Sequence, residues 1–359
     1  VKIVVDCRYI RLGRHDGISR YTAGIVTELG QLNPVTMLVS DLRQLEMLPE
    51  LPYQLVSAPT SPLEPLVARQ VNRLQPDVVF TPMQTMGSFG RRYRLVLTVH
   101  DLIYYRHPAP PPEFAAWLRL IWRLYHLTWW PQRLLLNRAD AVVAVSETTR
   151  RLLSEHQLTR RPVTVVPNAA ELSPAAGQPS PDRSRARSLV YMGTFMTYKN
   201  VETLVTALRL LPGYRLHLMS RVSDADRSRL QGLAPPDADL VFHDGATDET
   251  YHRTLAGAQA LVSASRDEGF GIPLVEAMAH GTPVVVSDIE IFREIGGPAA
   301  VFADPDDPAT FAAAIRGLED ATEWNRRSTA ALAQAGRYSW HRSAQTLLDL
   351  CRRLGGEDG

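Results

Sequence analysis

Ser265-Arg266-Asp267-Glu268-Gly269-Phe270-Gly271-Ile272-Pro273-Leu274-Val275-Glu276-Ala277-Met278-Ala279-His280-Gly281-Thr282-Pro283-Val284 is the stretch that decides how the chain is read. The apolar run Ala260–Val262 before it reads as a strand, and Val284–Val286 begins another. Between them the spacing predicts a loop opening onto a helix over Pro273–Ala279. Pro273 suits the first helical position, where its missing N–H has no cost, and Gly281 suits the position just past the helix end. Gly269 and Gly271 let the backbone turn tightly and approach a ligand. The amides of Gly271, Ile272 and Leu274 should then point out of the helix start, where a phosphate is favoured. Glu276 lies about one turn further in, and its carboxylate can accept two hydroxyl donors, as from a ribose diol. Glu268, eight residues earlier, can accept hydroxyls at the opposite, sugar end of such a ligand. The plainer readings are that Glu276 favours the positive helix start and that Glu268 faces water.

Working outward, apolar runs alternate with amphipathic ones. In the first half, strands are expected at Val1–Val5, Val35–Val39, Asp77–Phe80, Leu95–Val99, Ala141–Val145 and Val163–Val166. Helices are expected at Ile18–Leu29, Leu66–Leu74, Glu113–Leu136 and Glu147–Glu155. Strands this apolar, alternating with helices, indicate a parallel sheet buried on both faces. The second half repeats the architecture, with strands at Ser188–Met192, Arg215–Met219, Leu240–Phe242, Ala260–Val262, Val284–Val286 and Ala299–Phe302. Terminal helices are expected at Ala309–Leu318, Ala321–Ala335 and His341–Leu354. Pro174, Gly177, Pro179, Ser180, Pro181 and Ser184 mark 173–187 as a linker. The expected fold class is α/β, with two facing nucleotide-fold domains at 1–172 and 188–338 and a terminal helix in 339–359 that packs back on the first. The best place for a site is then the crevice at the carboxyl ends of the strands.

Composition narrows the function. The 359 residues suffice for two cores, and 39 basic against 38 acidic residues leave a formal charge of +1. That balance gives no general case for nucleic-acid binding. Only Lys2 and Lys199 are lysines among the basic residues, so Lys199 invites a local explanation. Two cysteines, Cys7 and Cys351, make neither a thiolate zinc site nor a disulfide framework, which points to a reducing, cytoplasmic setting. No apolar run is long enough for a membrane span, and the start has no signal-peptide pattern.

The run from Glu268 to Val284 resembles the signature of the retaining nucleotide-sugar glycosyltransferases of family 4, with its two glutamates separated by seven residues. The resemblance continues in order through Asp16-Gly17-Ile18-Ser19-Arg20, Thr98-Val99-His100-Asp101, Val145–Thr148, Val166–Asn168, Gly193-Thr194 and Lys199-Asn200. It implies the two-domain fold called GT-B. It also implies that Glu268 contacts donor-sugar hydroxyls, that Glu276 holds the ribose, and that backbone at Phe270, Gly271 and Ile272 sits near sugar and diphosphate. Lys199 would pair with the diphosphate, His100 would lie over the sugar near the reaction centre, and Gly17 would approach the donor phosphate or acceptor. Members commonly carry an arginine at the diphosphate as well; here the matching places hold Thr194 and Tyr198, leaving Lys199 with helix amides or an arginine such as Arg266, Arg20 or Arg8 as substitute. The resemblance implies retention by front-face attack, with the departing phosphate helping to take the acceptor proton, and no paired carboxylates acting as acid and base. No metal or other cofactor is expected.

Other positions keep two readings. His100-Asp101 ends a strand at a sheet edge, where His100 suits a hydrogen-bond donor to sugar or phosphate and Asp101 a turn cap. Asp16 can cap a helix, while Arg20 could meet a phosphate. In 113–136, Phe114, Trp117, Leu118, Ile121, Leu124 and Tyr125 recur at helical steps and should bury. Trp122, Trp129, Trp130, Arg119, Arg123 and Arg133 suit either packing or contact with an anionic membrane surface. Tyr104 and Tyr105 are expected to line the acceptor entrance. The sub-branch resemblance favours GDP-mannose as donor and a saccharide or lipid-linked saccharide as acceptor. A UDP-sugar donor and a noncatalytic nucleotide-sugar-binding protein are the alternatives.

Overall fold

The structure is a computed structural model that describes residues 1–13, 15–108, 116–170, 182–184 and 186–356. The chain divides into two compact units, one comprising Val1–Ala169 with Ser339–Gly359, the other Ala170–Tyr338.

The first unit carries β1 (Ile3–Asp6), β2 (Val35–Val39), β3 (Tyr53–Leu55), β4 (Val78–Thr81), β5 (Arg94–Val99), β6 (Ala141–Ala144) and β7 (Val163–Val165). Its helices are α1 (Gly17–Leu32), α2 (Val67–Val71), α3 (Ile103–Arg106), α4 (Ala116–His126), α5 (Trp130–Asn137) and α6 (Glu147–Glu155). The second unit carries β8 (Ser188–Tyr191), β9 (Arg215–Leu218), β10 (Asp239–Phe242), β11 (Ala260–Ser263), β12 (Val284–Ser287) and β13 (Ala300–Ala303). Its helices are α7 (Val201–Ala207), α8 (Asp224–Leu233), α9 (Asp248–Gly257), α10 (Ile272–Ala279), α11 (Glu290–Gly296), α12 (Pro308–Gly317) and α13 (Ala321–Ala335). The last helix, α14 (Trp340–Gly355), belongs to the first unit.

Both sheets are parallel, in the orders β3-β2-β1-β4-β5-β6-β7 and β10-β9-β8-β11-β12-β13. Each is a doubly wound α/β layer whose strand order reverses beside its first strand, at β1/β4 and at β8/β11. Loops at the carboxyl ends of those strand pairs are where such folds bind ligands. The strands are apolar because both faces are covered: Val4, Val5, Val78, Val79, Val142, Val143 and Val284–Val286 are all inaccessible to solvent. In the second unit the indole of Trp324 fills the core and donates to the Gln259 carbonyl at 2.9 Å. In the first, α14 lies against α1, where a Cβ at Gly24 would strike the Trp340 ring at 2.5 Å, and Ser343 donates to the Pro167 carbonyl at 2.8 Å. This is the GT-B architecture expected from the sequence.

Some expectations need correction. The stretch 113–136 is two helices, α4 and α5, with residues 113–115 outside the described ones. Pro131 has no N–H to carry the ladder through and sits instead in the first turn of α5. Leu124, expected on the buried stripe, is exposed together with Leu120, Leu127, Trp130 and Leu134; Phe114 and the side chains of Trp117, Leu118 and Ile121 lie outside the described residues. The edge strand β3 has no apolar run to announce it, since Tyr53, Gln54 and Leu55 are all exposed. Most of the expected linker at 173–187 lies outside the described residues, but Arg183 does not behave as linker. Its guanidinium donates to the carbonyls of Leu255 (3.1 Å), Ala256 and His280 (3.2 Å) and lies 5.1 Å from the centre of the Trp324 ring. Burial lowers its pKa to about 10.

Candidate functional site

In the second unit, the loops after β8 and β11 meet at the point where strand order reverses. The loop after β11 turns into α10 through Gly271, whose φ of +92° favours glycine and where a Cβ would press on the Phe292 ring at 3.1 Å. Phe270 is buried edge-on against Tyr338, with ring centres 5.5 Å apart. This fixes the start of α10, where no side chain caps the helix. Among the described residues the amides of Gly271 and Ile272 meet no protein acceptor, so this helix start can receive an anion. The amide of Leu274 is not free as expected: it donates to the Gly271 carbonyl at 3.0 Å in a tight first turn, and its side chain is buried.

Lys199 and Glu268 come from the two loops and meet. Lys199 Nζ donates to Glu268 Oε1 at 2.5 Å, and Ser265 Oγ donates to the same oxygen at 3.0 Å. The pair is mostly covered, with side chains 14% and 15% exposed, so a ligand can exchange with it without opening a core. The loops are stitched together by Arg266 N–H donating to the Tyr198 carbonyl at 2.8 Å and by Asn200 Nδ2 donating to the carbonyls of Ala264 (3.1 Å) and Pro305 (2.6 Å). Asn200 itself takes a left-handed conformation, φ +52°. Tyr198 presents its ring face 5.3 Å from Lys199 Nζ rather than a second cation. Thr194 lies in the same loop, its carbonyl accepting from the Tyr191 hydroxyl at 2.6 Å.

Two of the arginines expected as substitutes for the second cation already hold carboxylates. The Arg266 guanidinium pairs with exposed Asp306 at 2.5 Å. Arg8 is in the first unit, buried between Asp6 (2.8 Å) and Glu64 (2.6 Å). Burial works to lower its pKa, but the two carboxylates overcome that and hold it above the ordinary arginine value. Arg8 is therefore a structural cation.

Glu276 is buried on α10 and accepts from the Tyr251 hydroxyl at 2.8 Å. Tyr251 projects from α9 and is itself inaccessible. One residue after Tyr251 and one turn after Glu276, His252 and His280 share a 3.0 Å ring-nitrogen hydrogen bond. Sequence reasoning missed Tyr251, because a lone tyrosine on a helix has no motif, and it missed Asp306, which lies far along the chain from Arg266.

In the first unit, His100 follows β5. Its Nε2 lies 2.7 Å from the Pro82 carbonyl, which can only accept, so Nε2 carries the proton. Burial lowers the pKa, outweighing the opposing pull of the Pro82 bond and of Asp101 and Asp16. With Nε2 engaged by the Pro82 carbonyl, Nδ1 is the ring nitrogen left to accept. The Tyr21 ring stands edge-on, 5.1 Å away, and fixes the imidazole plane. Asp101 caps α3 by accepting from the Ile103 amide at 3.0 Å. Gly17 opens α1, capped by Asp16 accepting from Ser19 N–H at 2.9 Å, and Arg20 lies in the first turn. Tyr104 is edge-on to Trp122 at 5.3 Å, and Tyr105 stacks on Trp129 at 4.0 Å. The two tyrosines thus belong to an aromatic cluster with α4 and the start of α5.

Two family models match in succession. Residues 15–173 match the model described as Glycosyltransferase Family 4, and residues 186–320 the one described as Glycosyl transferases group 1. The chain is a glycosyltransferase of GT-B fold and belongs to this family. It is similar to the O-antigen chain mannosyltransferase RfbU of Salmonella typhimurium, 23% identical over 329 residues covering 86% of this chain and 89% of that protein. It is 30% identical over 213 residues to the GDP-mannose:cellobiosyl-diphosphopolyprenol alpha-mannosyltransferase of Xanthomonas oryzae pv. oryzae, covering 55% of this chain and 54% of that one. Among solved structures, Anabaena HepE in complex with UDP and glucose superposes with a TM-score of 0.69 at 18% identity, over 97% of this chain and 98% of that one.

Proposed function

We propose that the chain transfers a hexosyl group from a nucleoside diphosphate sugar, mannose from GDP-mannose, to a hydroxyl of a saccharide or lipid-linked saccharide, with retention and without a metal ion. The observation that carries this reading is the Lys199–Glu268 pair set beside the open amides of Gly271 and Ile272. In transfer, the bond from C1 to the phosphate oxygen breaks and its electron pair goes to the diphosphate. The acceptor oxygen bonds to C1 on the same face, and its proton passes to the departing phosphate. Lys199 and the amides meet the charge that develops on the diphosphate, while Glu268, released from Lys199, accepts sugar hydroxyls. Contacts of this kind are worth about 3 kcal/mol each. Glu276, held by Tyr251, accepts the ribose hydroxyls. Among the described residues no cluster of three His, Cys, Asp or Glu side chains could hold a metal ion.

Mannose is favoured by the names of RfbU and the Xanthomonas enzyme, both mannosyltransferases. A lipid-linked acceptor met at the inner face of a membrane is favoured by α4 and α5. From Phe114 to Ala139 there is no acidic residue, while Arg119, Arg123, Arg133 and Arg138 accompany the exposed Leu120, Leu124, Leu127, Trp130 and Leu134. Such a face suits peripheral contact with anionic lipid. No described helix is long and apolar enough to cross a membrane.

Calorimetry with GDP and UDP tests the donor. GDP should bind the more tightly, Glu276→Ala should cost at least about tenfold in affinity, and Tyr251→Phe a smaller part of that, as loss of one hydrogen bond to a charged group implies. Tighter UDP binding, as HepE's complex would suggest, selects the UDP-sugar reading instead. Proton NMR of the product from GDP-mannose reports the anomer formed. Donor binding with no turnover on any saccharide acceptor would mark a noncatalytic binding protein.

A further inference from the structure

We propose that the first unit contains a preformed pocket for hydrocarbon, roofed by the loop after β4, which takes the apolar tail of an amphiphilic acceptor while Arg138 meets its anionic head. The proposal rests on the transferase reading only in calling the ligand an acceptor.

A cavity of about 390 Å³ lies between Leu95 and Leu97 on β5, Met86 and Phe89 on the loop, and Leu135 and Arg138 at the end of α5. Leu95 and Leu97 are two apart on a strand and so line one face. The volume falls in the range of about 300–1,000 Å³ typical of small-molecule sites. The cleft is half open to solvent, so it has room for a chain segment whose end leaves the protein.

The frame is pinned rather than slack. The Tyr9 hydroxyl donates to the Thr85 carbonyl at 3.4 Å, and the Gly87 amide donates to Glu64 Oε1 at 3.0 Å. Gly87 packs so closely that a Cβ would stand 1.7 Å from the Glu64 carbonyl oxygen. Gln132 on α5 donates through Nε2 to Gln84 Oε1 at 2.8 Å, tying the helix to the same loop. Glu64 also lines the cavity, yet its carboxylate is held by Arg8 at 2.6 Å and by Gly87, so its charge is already compensated. The lining that remains is mainly apolar, with Tyr9, Thr85 and Ser88 as its polar members and one exposed cation, Arg138, whose guanidinium has no hydrogen-bond or ion-pair partner among the described residues. That pattern selects hydrocarbon with a negative head.

Two further facts make an acceptor the occupant. The loop that roofs the pocket begins at Pro82, whose carbonyl holds His100, so one segment serves both the tail pocket and the imidazole. And α5, which lines the pocket with Leu135, exposes Trp130 and Leu134 to the outside, giving a chain leaving a bilayer an apolar route inward.

Alkyl phosphates from hexyl to dodecyl, each below its critical micelle concentration, test the pocket by calorimetry on the full chain. Affinity should rise about fourfold per methylene until the pocket is full. Leu135→Trp, which narrows the cavity, should weaken dodecyl phosphate and bring the plateau in affinity to a shorter chain. Arg138→Glu, a surface change that keeps the test open should the first variant misfold, should weaken dodecyl phosphate at least tenfold and leave octyl glucoside unaffected. No binding by folded wild-type protein, or binding independent of chain length, overturns the proposal. With GDP-mannose as donor, a saccharide carrying a dodecyl diphosphate should be used at least tenfold better than its tail-free form, and Leu135→Trp should reduce that preference. Alkyl binding without such a preference would assign the pocket to bulk lipid and overturn the acceptor assignment. Absence of all transfer, with alkyl phosphate still bound, would sink the transferase reading and leave the pocket standing.

Discussion

The two sheets share a strand order, and each follows its central first strand with a cation facing carboxylate, yet the cations are held in opposite ways. After β1, Arg8 is buried and gripped by Asp6 and Glu64, with a further bond to the Ser57 carbonyl at 2.9 Å. After β8, Lys199 has one carboxylate, Glu268, and keeps some access to solvent. A cation held by one buried carboxylate, a second, partly exposed one and a carbonyl is fully satisfied and has nothing left for a ligand. A cation sharing one carboxylate beside open helix amides gains from an incoming diphosphate. The same topological position therefore serves architecture in one unit and, under the proposed function, ligand binding in the other.

Arg8→Met should break this comparison on the side of the fold. It leaves Asp6 buried without its partner, and removing one member of a buried pair costs about 3–5 kcal/mol. Urea denaturation should show that loss. A midpoint within error of wild type would mean that Arg8 is not the keystone described. Lys199→Ala breaks it on the side of chemistry. Stability should fall by less than for Arg8→Met, because the pair is less deeply buried and Glu268 keeps its bond from Ser265, while kcat/KM should fall by about 10² or more as transition-state charge loses its partner. A fall under about threefold would mean that helix amides alone carry the diphosphate, or that Arg266 leaves Asp306 to do so.

Much of this was legible in the sequence where local rules act alone. Pro273, Gly271 and Gly281 bracket α10 because proline fixes one end and glycine conformations fix both, and the buried strands read as unbroken apolar runs. The turn carrying Glu268 was legible for the same reason. What stayed hidden depends on contacts distant in sequence. Nothing near Glu276 announces Tyr251, nothing near Lys199 announces that its first partner is Glu268, and the orientation of His100 is set by a carbonyl eighteen residues away. The break between α4 and α5 was visible in Pro131 but was overridden by the helical recurrence of Trp and Leu around it. Leu124 misled because its periodicity matches a buried stripe although its face is left uncovered.

The smallest effect sharpens the contrast through protons. The second unit holds two histidine pairs, His217 with His243 at 2.9 Å and His252 with His280 at 3.0 Å. A hydrogen bond between two imidazoles needs at least one ring to accept, and two charged rings repel. Burial, then His243 and Arg215, lowers His217 to about 4; burial, then His252 and Arg183, lowers His280 to about 4. Below the ordinary histidine value of about 6.5 the unfolded chain takes up protons that the folded one refuses, so stability must fall as pH falls from about 6.5 towards 4. Thermal melts should show Tm dropping by a few degrees over that interval, and His217→Gln combined with His280→Gln should flatten the slope. Equal slopes in wild type and double variant would place the acid sensitivity in carboxylates instead. The effect stays modest because His217 on β9 and its partner His243 are only partly enclosed, and a protonated ring there can turn towards water. The Arg8 network has no such escape, which is why losing its charge balance should cost the fold far more.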